Sequence, residues 1–117
     1  MEPIYDRDGR AIAWRHGSDI YHLNGSHAAV LDGENVYGHG GQHLGLFKNG
    51  WFRDHRGSVV AFVDGAFGGP RLPAMSAPPD PPAPSAPPLS AVPSVPPRSA
   101  IPLLGWSAAS WSEFIRE

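Results

Sequence analysis

The chain repeats itself every 16 residues, and a short period with glycine at one fixed place restricts a fold more than any overall property does. Starting at Ile4, Ile20, Val36 and Phe52, the segments read IYDRDGRAIAWRHGSD, IYHLNGSHAAVLDGEN, VYGHGGQHLGLFKNGW and FRDHRGSVVAFVDGAF. The first position is always large and apolar. The second is Tyr5, Tyr21 and Tyr37, with Arg53 as the exception, and the sixth is Gly9, Gly25, Gly41 and Gly57. A small residue follows at the tenth position (Ala13, Ala29, Gly45, Ala61) and an apolar one at the eleventh (Trp14, Val30, Leu46, Phe62). A second turn is marked by Gly17, Gly33, Asn49-Gly50 and Gly65.

Each copy reads as a β-hairpin. In Asp6-Arg7-Asp8-Gly9 and Asp54-His55-Arg56-Gly57, Asp stands where its carboxylate bonds the turn backbone, and Gly stands where the chain needs positive φ. That is a type I turn closed by a glycine bulge. The spacing pairs the first position with the ninth and the second with the eighth, and predicts that the first, ninth and eleventh side chains share one face. On this reading Ile4, Ile12 and Trp14 meet, as do Ile20, Ala28 and Val30, then Val36, Leu44 and Leu46, and lastly Phe52, Val60 and Phe62. A strict two-residue turn at Asp32-Gly33 would then put the next first-position side chain on the wrong face, so a longer loop or a sharp twist is expected there.

One hairpin cannot bury its face alone, but four around an axis close on one another and remove most free strand edges. The expected fold is therefore all-β, with four tandem 16-residue hairpins around a pseudo-four-fold axis. These segments resemble the bacterial four-fold β-flower proteins, and so does the ending Trp106-Ser107-Ala108-Ala109-Ser110-Trp111. The resemblance implies a fold and carries no catalytic or ligand-binding residues. The Tyr-Asp-x-x-Gly start also looks like the YD repeats of large secreted toxins and adhesins, whose arrays are far longer.

Composition divides the chain after the repeats. Thirteen of the 14 glycines lie between Gly9 and Gly69, and 13 of the 14 prolines between Pro70 and Pro102. We read a hairpin domain over 4–67, a disordered Pro/Ala/Ser-rich linker over 68–103 and a short amphipathic docking segment over 104–117. With no cysteine, packing alone must hold so small a domain. A net charge of −2 and a single lysine, Lys48, give no footprint for nucleic acid or an anionic membrane. No apolar run approaches the ~20 residues that span a bilayer, and the N-terminus lacks a signal pattern. A cytoplasmic location is the expectation.

Of the histidines, His27 and His43 share the eighth repeat position, His39 and His55 share the fourth, and His16 and His22 stand alone at two others. Equivalent positions in neighbouring units lie about 10 Å or more apart, which predicts no metal site. Asp6-Arg7-Asp8-Gly9 lacks the later oxygen ligands of a calcium loop. No nucleophile elbow, phosphate loop or zinc helix is present, so neither an enzyme nor a cofactor is expected. Pairing of the second and eighth positions predicts that Tyr21 faces His27 and Tyr37 faces His43, two aromatic-imidazole pairs over the low backbone of Ala29 and Gly45. Such a face suits a peptide or small polar ligand. In the tail, Ser110 and Glu113 match a capping box, and Trp111, Phe114 and Ile115 then share one helical face. A helix that short orders only when buried. Together with Trp106, this face has two possible destinations, the hairpin domain's own surface or another protein or second copy. The long spacer favours the second, in which case the face stays exposed until it docks. The functional expectation is a non-catalytic interaction or scaffold protein, then a ligand-binding module using the Tyr-His face, and last a metal-dependent hydrolase.

Overall fold

A computed structural model describes residues 1–38, 40–78 and 103–116. The repeats form eight short strands: β1 Glu2–Tyr5, β2 Ala11–His16, β3 Asp19–His22, β4 His27–Asp32, β5 Asn35–Gly38, β6 His43–Lys48, β7 Trp51–Arg53 and β8 Val59–Val63. Each pairs antiparallel with the next, and β8 returns to β1 through Ile4↔Val63 and Tyr5↔Phe62, closing a barrel. Closure gives every strand two neighbours, which is how four marginal hairpins become one stable unit.

The first turns form as the glycine pattern predicts. Gly9, Gly25, Gly41 and Gly57 have φ between 76 and 91°, a region that a side chain with a Cβ adopts only under strain. Asp6 Oδ1 accepts from the amides of Asp8 (2.9 Å) and Arg10 (3.1 Å), and Asp54 Oδ1 does the same for Arg56 and Ser58.

The facing of the side chains differs from the expectation in one respect. The second position pairs with the eighth, but the first pairs with the tenth: Ile4↔Ala13, Ile20↔Ala29, Val36↔Gly45 and Phe52↔Ala61. The ninth residue is an extra, bulged one, so that two residues oppose one across the ladder. The bulge turns the tenth and twelfth positions inward and the eleventh outward. Trp14 and Phe62 therefore leave the face that Ile4 and Phe52 occupy. It also removes the need for a long second connection. Tight two-residue turns at 17–18, 33–34 and 49–50 keep the register, with Arg15↔Ile20, Leu31↔Val36 and Phe47↔Phe52.

Two cores result. Inside the barrel, the fully buried Ile4, Ile20, Val36 and Phe52 meet Ala13, Ala29 and Ala61 together with Ala28, Leu44 and Val60 from the bulges. Eight strands leave an interior that side chains can fill. The tenth position is small because a large first-position side chain faces it there. Outside, Tyr5, Trp51, Val59, Phe62 and Ala66 form a second cluster, with Tyr5 stacked on Phe62 at 5.5 Å.

The chain beyond the repeats also runs along the barrel. Trp51 Nε1 donates to the Phe67 carbonyl (2.8 Å), and the Ser76 amide donates to the Gly9 carbonyl (2.8 Å). Most of the linker expected over 68–103, namely 79–102, lies outside the described residues. No helix among the described residues is long and apolar enough to cross a membrane.

Candidate functional site

The Tyr-His face is assembled as the pairing predicts. Tyr21 packs edge-on to His27 with ring centroids 5.6 Å apart, and Tyr37 to His43 at 5.2 Å. Its environment is different from the expected open floor: Tyr21 and Tyr37 are 2% exposed and His43 5%. Each tyrosine is walled by the histidine of its own hairpin and by the eleventh position of the preceding one, Trp14 beside Tyr21 and Val30 beside Tyr37. The bulge that sends the eleventh side chains outward is thus what encloses the tyrosines.

Polar partners that the sequence reading did not single out complete these pairs. His27 Nε2 lies 2.9 Å from Asp19 Oδ1, and His43 Nε2 lies 3.0 Å from Asn35 Oδ1, both partners being the last residue of the preceding copy. Asp19 and burial together raise the Tyr21 phenol above its ordinary value, burial being the larger cause. His43 Nδ1 also meets His55 Nε2 at 2.9 Å, with the rings stacked. Two histidines from unlike repeat positions come together because β6 and the first turn of the next hairpin are neighbours. The Asn35 amide oxygen can only accept, so the proton in that contact is on His43 Nε2. His39 lies outside the described residues. Among the described residues no group of three His, Asp or Glu is placed to hold a metal ion.

The C-terminal segment lies on the chain's own barrel, the first of its two possible destinations and not the favoured one, and Trp111 and Phe114 are buried there. Trp106 bridges Val59 in parallel, with the Val59 amide donating to the Gly105 carbonyl (3.0 Å) and the Ser107 amide to the Val59 carbonyl (2.7 Å). β8 offers these groups because β1 pairs only with its far end. Trp106 lies edge-on to Trp51 and Phe62, both at 6.1 Å. Ser107 Oγ donates to Asp54 Oδ2 (2.6 Å), tying the segment to the turn of the fourth hairpin.

The capping box forms. The Glu113 amide donates to Ser110 Oγ (3.3 Å), Glu113 Oε1 accepts from the Ser110 amide (3.3 Å), and α1 runs Trp111–Arg116. Trp111 and Phe114 are buried in the inner core, Ile115 packs against it, and Trp111 meets Phe52 edge-on at 5.3 Å.

Two departures from the repeat make this seat. Arg53 stands where the other copies have tyrosine; it is buried, and its Nη1 donates to the Gly57 carbonyl (2.6 Å) and to the Leu103 carbonyl. Burial lowers its pKa from the usual guanidinium value. Gly45 stands where the other copies have alanine, and a Cβ there would lie 2.8 Å from the Phe114 ring and closer still to the Arg53 carbonyl. Both exceptions are visible in the sequence. Gly45 admits both the β7 backbone and the tail, and Arg53 bonds both its own turn and the tail.

The profile of one known family, 4-fold beta flower protein, matches residues 2–115. The chain belongs to the 4-fold β-flower family. The match takes in the C-terminal segment as well as the repeats, in agreement with a β-flower whose tail is part of the packed structure. No curated protein and no solved structure matches the chain.

Proposed function

We propose that this β-flower protein is a non-catalytic interaction scaffold whose fourth hairpin is a receptor for an extended segment followed by a short aromatic helix. Its own residues 103–116 fill that receptor in cis. The supporting observation is that two exceptions to the repeat reach the tail: Arg53 donates to the Leu103 carbonyl as well as to that of Gly57, and the absent Cβ of Gly45 leaves room for the Phe114 ring as well as for the Arg53 carbonyl. A partner protein that carries a similar segment, or a second copy of this chain, would compete for the same place. Recognition combines strand addition at β8 with aromatic anchors in a groove, two established modes of peptide binding.

The reading is tested with a labelled peptide spanning 103–117 and the full chain carrying Phe114→Ala, which weakens the resident tail. Fluorescence anisotropy is expected to show saturable binding to this variant and much weaker binding to the parent, whose seat is taken. A peptide that itself carries Phe114→Ala should bind neither. If the variant chain keeps its barrel spectrum and still ignores the unmodified peptide, the receptor reading fails.

A further inference from the structure

The end of the barrel opposite the first turns carries a second feature, independent of the tail. There the twelfth position of each copy points inward: Arg15, Leu31, Phe47 and Val63. Three are apolar and one is a cation. Arg15 on β2 reaches across to β6, its guanidinium 5.5 Å from the Phe47 ring centroid. Beside it lies a cavity of about 340 Å³, whose walls include Leu31, Phe47, Ser18, Glu34 and Lys48.

The charges in this mouth are unequally committed. Lys48 pairs with Glu34 at 3.8 Å, and both are more than half exposed. Arg15 is two-thirds buried and uses Nη1 on Glu2 Oε1 at 3.0 Å. Its Nε is buried with no hydrogen-bond partner among the described residues. With its guanidinium 5.5 Å from the Phe47 ring centroid and its Nε without a partner, Arg15 retains N–H donors suited to a carboxylate. Leu31 and Phe47 beside it offer apolar surface to whatever bears that carboxylate. The walls join this apolar surface to the polar side chains of Ser18, Glu34, Lys48 and Asn49, so that apolar contact and oriented polar groups converge in one cavity, as in small-molecule sites.

We propose that this mouth binds a small organic carboxylate with an aromatic or branched apolar body, the carboxylate on Arg15 and the body against Leu31 and Phe47. Phenylacetate, its neutral amide phenylacetamide and the amine phenethylamine are suitable probes, titrated into the full chain and followed by NMR of the Leu31 methyls and the Phe47 ring. Phenylacetate is expected to give saturable shifts, and the amide and the amine to bind roughly tenfold more weakly or worse, since each loses the charge-assisted pairing. Arg15→Met, which keeps the stem over Phe47, should abolish the difference between acid and amide. Glu2→Gln removes the competing carboxylate and should tighten phenylacetate several-fold, whereas a purely structural Arg15–Glu2 pair would give no gain. Equal binding of acid and amide to the parent, absence of saturation, or weaker binding by Glu2→Gln would each overturn the proposal.

Discussion

Phe114→Ala separates the tail's packing from the barrel's. Phe114 is fully buried in the inner core, 5.6 Å from Trp111 between ring centroids, and it fills the space that the missing Cβ of Gly45 leaves. Truncating a buried Phe to Ala costs about 3–5 kcal/mol when the site cannot collapse. Here the loss falls first on docking, because a six-residue helix has no stability of its own in water. At about 1.4 kcal/mol per factor of ten, even the lower figure moves the docked-to-undocked ratio by roughly 150-fold. The amides of Val59 and Ser107 report that ratio directly, since each hydrogen-bonds across the junction between β8 and the tail. Hydrogen exchange in the full-length variant should therefore show these two amides losing about two orders of magnitude of protection, while amides in β2–β5 keep theirs. Equal loss throughout would mean that tail and barrel are one cooperative unit. Unchanged protection at Val59 and Ser107 would refute the packing argument.

Restoring the repeat residue with Arg53→Tyr should leave the Leu103 carbonyl without its charged donor and weaken docking by about 1.5–3 kcal/mol, read as loss of protection at Ser107 with the barrel intact. Gly57→Val places a β-branched residue at φ 88° and should destabilise the domain by more than about 1 kcal/mol in urea denaturation; a variant as stable as the parent would contradict the turn assignment. The Tyr5 and Tyr21 phenols are both raised above 10.0, mainly by burial, with Asp64 and Asp19 adding to it. The folded state thus holds these protons more tightly than the unfolded one, so their contribution to stability is complete below pH 10.0 and is lost as pH rises through the folded values. Phenolate absorbance, with Tyr5→Phe and Tyr21→Phe to assign the signals, should show these two phenols ionising late, and ordinary titration of both would contradict their burial.

The hairpins, their glycine turns and the closed all-β architecture were legible because each rests on a local rule repeated four times. The bulge was not. A ninth-position residue such as Ile12 or Leu44 carries no bulge signature, and only ring closure decides that the tenth side chain, and not the eleventh, faces the axis. That one-residue difference also explains why Tyr21 and Tyr37 were correctly paired with His27 and His43 yet wrongly expected on an open surface. Asp19 and Asn35 were missed because they stand at the end of one copy and act on the next. For the tail, the capping box and apolar face could be read locally. Its destination depends on Arg53, Gly45 and Asp54, which lie about fifty residues or more away in the chain.

The central claim is that the fourth hairpin receives the chain's own C-terminal segment. Nuclear Overhauser contacts in dilute full-length protein test it most directly. The account predicts contacts from Trp111 to Phe52, from Phe114 to Gly45 and from Trp106 to Val59, alongside the Tyr5–Phe62 contact that marks barrel closure. If the Tyr5–Phe62 contact is present while all three tail contacts are absent and the Trp106 and Trp111 side chains give the narrow signals of a solvated tail, the claim is contradicted.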